Sequence, residues 1–164
     1  MNTEYFFRLF FSGLTRGSIY ALLALGYTMV YGIIKLINFA HGEIYMIGAF
    51  TALIVAGALS LTGMPALAIL VLASLVALVY SSMYGYTIEK VAYKPLRRAP
   101  RLSVLIVAIG MSLFLQNYVL LAQTSNFLPF PSLLPDVRLP ESWHGLVTVP
   151  QLLIFIATAI VMIL

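Results

Sequence analysis

Four uncharged apolar runs of about twenty residues follow one another in this chain, at residues 17–34, 44–64, 66–88 and 102–122. A run of that length, wound into a helix, matches the roughly 30 Å hydrocarbon core of a bilayer. Lipid offers a backbone no water to bond, so only helices and closed barrels cross it. A barrel strand alternates polar and apolar residues over about ten positions, whereas these runs are apolar at nearly every position. The expected fold is therefore an all-α integral membrane protein, a polytopic transmembrane helix bundle forming a single transmembrane domain. Composition agrees, with 62% hydrophobic and only 9% charged residues among 164, far from the balance of a soluble domain.

Both ends need comment. Residues 5–14 read as an amphipathic lead into the first span, and Glu4, Arg8 and Arg16 interrupt any signal-peptide pattern. A fifth apolar run opens near Gln151 and is still apolar at Leu164. Residues 151–164 are too few to cross, so the chain is expected to stop inside a span, as a truncated piece of a longer protein.

The net charge of +4 is not spread along a face or groove, as a nucleic-acid binder would have it. Five of the nine Lys and Arg residues, Lys90, Lys94, Arg97, Arg98 and Arg101, fall within residues 87–101, with Glu89 the one acid beside them. Such clusters fix orientation, so the partner implied is membrane lipid rather than nucleic acid. Residues 87–101 are expected in the cytoplasm, together with the turn before the second span. Gly63, the N-terminus and a loop over residues 124–150 are then extracytoplasmic, although Arg8 and Arg16 favour the opposite side for the N-terminus. That loop carries Pro129, Pro131, Pro135, Pro140 and Pro150, too many for a continuous helix, and Trp143 with His144 suits an interfacial anchor.

Polar groups inside such a chain are costly. Asn38, His41, Gly42 and Glu43 form a short turn between the first two spans, at the expected membrane boundary. They read either as part of a substrate pathway, with Gly42 permitting a helix break, or as an ordinary hydrated turn. Tyr20, Ala24, Tyr27 and Tyr31 share one helical face; Tyr20 and Tyr27 suit a pathway wall, and Tyr31 an interfacial anchor. Small residues recur every fourth position as Gly48, Ala52, Ala56 and Ser60, and again as Ala73, Ala77, Ser81 and Gly85. Those rows read as close helix packing.

Several chemistries are missing from the sequence. It has no cysteine, no second ligand within a helical turn of His41 and Glu43 to make a metal site, and no G-x-S-x-G nucleophile elbow. It also lacks a G-x-x-x-x-G-K-[ST] phosphate loop. No cofactor and no enzyme activity are expected of it.

The stretch YALLALGYTMVYGIIKLINFAHGEIYMIGAF, with its INFAHGE turn and YM.GA helix start, closely resembles the opening of the branched-chain amino acid permease family. VAYKPLRRAPRLSVLIVAIGMSLFLQN looks like that family's basic loop and following helix, so the resemblance covers most of residues 13–120. It implies the amino-terminal half of a permease of the ABC importer type, in the bacterial inner membrane, working by alternating access. Its implied partners are a second related permease subunit, two ATP-binding subunits and a periplasmic substrate-binding protein delivering leucine, isoleucine or valine. The family's ATPase-coupling loop lies beyond this sequence, so the chain alone is expected neither to transport nor to hydrolyse ATP. Import of urea or short-chain amides, a non-transporting structural membrane subunit and an intramembrane enzyme are the alternatives.

Overall fold

The computed structural model of the chain describes residues 3–35, 37–123, 126, 128–130 and 148–163. Five α-helices follow in order: α1 (Thr3–Ile34), α2 (His41–Ser60), α3 (Ala66–Ile88), α4 (Arg101–Ala122) and α5 (Val149–Ile163). No strand occurs among the described residues. Four stretches are long and apolar enough to span a bilayer, Tyr5–Ile33, His41–Ser60, Ala66–Leu96 and Arg101–Ala122, so the chain is an all-α polytopic membrane protein. Large apolar side chains such as Leu78, Ile106 and Phe114 stay more than half exposed, as on surfaces that meet lipid or partner protein. Most of the loop expected over residues 124–150, including the Trp143 and His144 anchor, lies outside the described residues.

The chain divides into two units, Met1–Gly32 with Leu134–Leu164, and Ile33–Leu133. In the first, α1 is continuous from Thr3, so the amphipathic lead and the first apolar run make one helix. Ser and Thr hydroxyls inside it donate to carbonyls of their own helix, Thr15 to Phe11 at 2.8 Å and Ser18 to Leu14 at 2.9 Å. This is how short polar side chains are satisfied where water is absent. At the start of α5 the Thr148 amide donates to Gln151 Oε1 at 2.8 Å, one half of a capping box.

The second unit is built on an antiparallel α2–α3 hairpin. Its connection passes through Gly63 at φ +71°, a left-handed conformation that side-chain-bearing residues adopt at a cost. Pro65, extended at φ −62° and ψ 140°, then leads into α3. Gly48 and Ser81 meet across it: a Cβ built on Gly48 would lie 3.5 Å from Ser81 Cβ, and one on Gly85 would lie 3.8 Å from Ile44 Cδ1. Further along, Ala56, Ile69 and Ala73 are buried together. Because 3.5 Å is ordinary van der Waals contact, Gly48→Ala should be close to neutral. Gly48→Leu has nowhere to go and should destabilise by about 1–3 kcal/mol, which thermal unfolding of the detergent-solubilised permease would measure.

Past Ile88 the helical path does not stop, although the basic segment reads as a loop in sequence. A π-helical turn, Glu89–Tyr93, and a 3₁₀ turn, Lys94–Leu96, prolong α3. Pro95 cannot donate an amide to an α-helical ladder, and Pro100, extended, sets the start of α4. The main core gathers Ala40, Ile47, Ile88, Tyr93, Val104, Ala108, Leu115 and Val119. It joins the start of α2, the π-helical turn and one face of α4.

Candidate functional site

Most side-chain hydrogen bonds in the spans return to the helix that owns them, as in Thr51 to Ile47 at 2.8 Å, Ser82 to Leu78 at 2.6 Å and Asn117 to Leu113 at 2.8 Å. A few cross between elements, and those single out the site. Glu43, in the first turn of α2, receives on Oε1 a bond from Ser112 Oγ at 2.9 Å and another from Gln116 Nε2 at 2.7 Å, both from α4. Gln116 Nε2 also lies 3.5 Å from Ser112 Oγ.

The start of α2 offers free amide dipoles that favour an acid in its first turn. Ser112 and Gln116, four apart, present their polar atoms on one stripe of α4. At 1.5 Å per residue, they lie roughly 16 and 22 Å from the Arg101 end of this 22-residue helix. Glu43, in the first turn of its own span, is thus set against the middle of the apolar α4. The reason is that α3 with its π-helical extension, and the first half of α4, run on past the start of α2.

Just before α2, Asn38 Oδ1 accepts from the Ala40 amide at 3.0 Å and from the Tyr93 hydroxyl at 2.7 Å. The His41 amide donates to the Asn38 carbonyl at 3.1 Å. The first and last of these close a side-chain-stabilised turn, and the Tyr93 bond moors it to the π-helical turn. His41 is half-buried, and among the described residues no cluster of metal-ligating side chains occurs. Gly42 sits inside the first turn of α2 without a positive φ. The conformational break expected of it is carried by Lys35, at φ 54° just after α1.

Tyr20 and Tyr27 lie on α1, in the other unit. The basic residues form no such cluster either. Arg97 pairs with Glu89 at 2.6 Å, and Lys90 Nζ sits 5.7 Å from the centre of the Tyr86 ring, while Lys94, Arg98 and Arg101 are exposed. Exposed pairs of this kind add little stability.

Ser112, Gln116 and Tyr93 are not singled out by the sequence reading. The available signal was a polar pair four residues apart in an uncharged span. A second chain of hydroxyls also escaped it: Tyr84 donates to Tyr118 at 3.1 Å and lies 3.4 Å from the Tyr80 hydroxyl, tying α3 to α4.

Beside the Glu43 cluster lies a cavity of about 570 Å³. Its walls include Met46 and Phe50 of α2, and Val119 and Leu120 of α4, with Gln116 and Asn126 as polar members. A mostly apolar cavity with two polar members, next to a carboxylate, is the kind of place where transporters hold small solutes.

Over residues 9–164 the chain matches the family described as branched-chain amino acid transport system / permease component. It belongs to that family. The permease is 48% identical over 163 residues to the high-affinity branched-chain amino acid transport system permease protein LivH of Escherichia coli strain K12, covering 97% of this chain and 53% of that protein. It is 47% identical to LivH of Salmonella typhimurium with the same coverage. Against the permease protein BraD of Pseudomonas aeruginosa the identity is 51% over 155 residues, covering 92% of this chain and 50% of BraD. The chain therefore spans about half the length of the curated relatives it matches. No solved structure matches it significantly. With its four span-length apolar helices, the permease is a multi-pass protein of the bacterial inner membrane.

Proposed function

We propose that the permease carrying this sequence is a subunit of an ABC importer that moves branched-chain amino acids across the inner membrane. ATP hydrolysis on two partner subunits drives it, a second related permease completes the pathway, and a periplasmic binding protein delivers the solute. The observation that carries this reading is the Glu43–Ser112–Gln116 cluster, a carboxylate set against the apolar middle of α4 beside a mostly apolar cavity. An ionisable group against a membrane-spanning helix marks a functional site by default, and the relatives' names supply the substrate class. In this role Asn38, His41, Gly42 and Glu43 form the structural turn that positions the cluster, and Tyr20 and Tyr27 are pathway-facing residues of α1.

Uptake competition tests the substrate. In cells whose leucine uptake depends on this permease, excess isoleucine and valine should suppress labelled leucine entry, and urea or acetamide should not. Competition by the amides alone would move the assignment to a urea or short-amide importer.

The same reading places residues 87–101 in the cytoplasm and residues 124–150 outside, because reversal would put the densest basic cluster on the wrong side. The sequence has no cysteine, so single introduced cysteines report cleanly. A thiol reagent that cannot enter intact cells should label a cysteine at position 132 and spare one at Ala99; the opposite pattern would reverse the topology.

A further inference from the structure

The cavity beside α2 has a pole and walls of different chemistry, and the hydrogen bonds fix what the pole offers. A carboxylate only accepts, so the nitrogen end of the Gln116 amide must face Glu43, where it sits 2.7 Å from Oε1. Its oxygen end is thereby turned away as an acceptor, and Gln116 is a cavity-lining residue. Behind it, Glu43 takes both bonds on Oε1, and among the described residues no hydrogen bond reaches Oε2. No Lys or Arg occurs in residues 36–89, nor in α4 after Arg101. Glu43 therefore faces the apolar middle of α4 with no Lys or Arg of its own segment to balance it, an arrangement that favours a cationic guest. Met46, Phe50, Leu53, Val119 and Leu120 supply the apolar walls.

We propose that this cavity is a subsite for an aliphatic primary ammonium group, the α-ammonium of a branched-chain amino acid meeting the acceptor end of Gln116 while its alkyl chain lies against Phe50 and Leu120. Glu43 acts from behind, orienting the amide and supplying the negative charge. This rests on the transport reading given above and adds to it a location and a polarity. At about 570 Å³ the cavity falls within the roughly 300–1,000 Å³ usual for small-molecule sites.

A purely structural cross-brace makes a different prediction, and Glu43→Gln separates the two. Glutamine keeps the side-chain size and an oxygen that can accept from both Ser112 and Gln116, and it removes the charge while exchanging Oε2, which takes neither bond, for an amide nitrogen. In whole importers reconstituted with the binding protein, and assembled to wild-type yield, the maximal rate of labelled leucine uptake should fall about tenfold. A wild-type rate would overturn the subsite.

Ala49→Leu, which narrows the cavity from α2 without touching the polar cluster, provides an independent reading of size. It should depress leucine uptake more than valine uptake, shifting the ratio of the two rates about fivefold; an unchanged ratio would overturn the subsite, and Ala49→Val gives the same readout in smaller measure if the leucine variant does not assemble. Failure of the wild-type importer to take up leucine would overturn the transport reading together with the subsite. Leucine uptake that neither substitution alters would overturn the subsite alone.

Discussion

Glu43→Ala should end leucine uptake and lower the stability of the assembled permease by about 2–4 kcal/mol, the combined scale of a lost charge-assisted bond and a stranded amide. The two donors left behind have unequal prospects. Ser112 has the escape that Ser81 and Ser82 already use, donating to a carbonyl of its own helix one turn back. Gln116 has no equally short route, because its remaining contact is the long one to Ser112 Oγ at 3.5 Å. The loss should therefore exceed that of Glu43→Gln in thermal stability, measured by unfolding in detergent. A double substitution, Glu43→Ala with Gln116→Leu, should recover part of it by removing the stranded amide. Equal melting of Glu43→Ala and wild type would show that the contact between α2 and α4 does not depend on these bonds.

Asn38→Ala carries the second large effect. One oxygen, Asn38 Oδ1, closes the turn on the Ala40 amide and also receives the Tyr93 hydroxyl, so a single truncation removes both bonds. Ala40 and Tyr93 are both buried in the main core, where water cannot replace the lost acceptor. The expected cost is about 2–3 kcal/mol, against about 1 kcal/mol for Tyr93→Phe, which deletes one bond together with its donor. Because the two residues share that bond, the double variant should cost less than the sum of the singles. Strict additivity of the melting shifts would mean that the turn is not moored to the π-helical segment through Asn38.

Much of the architecture was legible because lipid imposes a simple rule. Uncharged runs of some twenty residues announce helices, and the spacing of Gly48, Ala56, Ala73 and Ser81 already marked small faces that meet in the α2–α3 hairpin. Helix ends were less legible. The basic segment reads as a loop from its prolines and charges, yet backbone hydrogen bonding continues through Leu96 in π-helical and 3₁₀ form, which no hydropathy pattern encodes. The turn from Asn38 to Glu43 stood out as polar residues between two apolar runs. Its partners on α4 did not, since they depend on how far α4 runs past the start of α2, a tertiary quantity. Ser112 and Gln116 went unread for the same reason: a serine and a glutamine in an uncharged span look unremarkable until a carboxylate from another helix is placed against them. The freedom of Gly42 goes unused, and the left-handed residue is Lys35, a type that composition alone does not mark for that conformation.

We propose that the permease carrying this sequence belongs to an ATP-driven importer of branched-chain amino acids. The most direct measurement is accumulation of labelled leucine inside proteoliposomes that hold the purified importer, with the binding protein outside and ATP supplied to the nucleotide-binding side. Accumulation above the external concentration is predicted only with ATP and binding protein together, and it should fall about tenfold with Glu43→Gln. Equal leucine content with and without ATP, in complexes that hydrolyse ATP and bind the loaded binding protein, would contradict it.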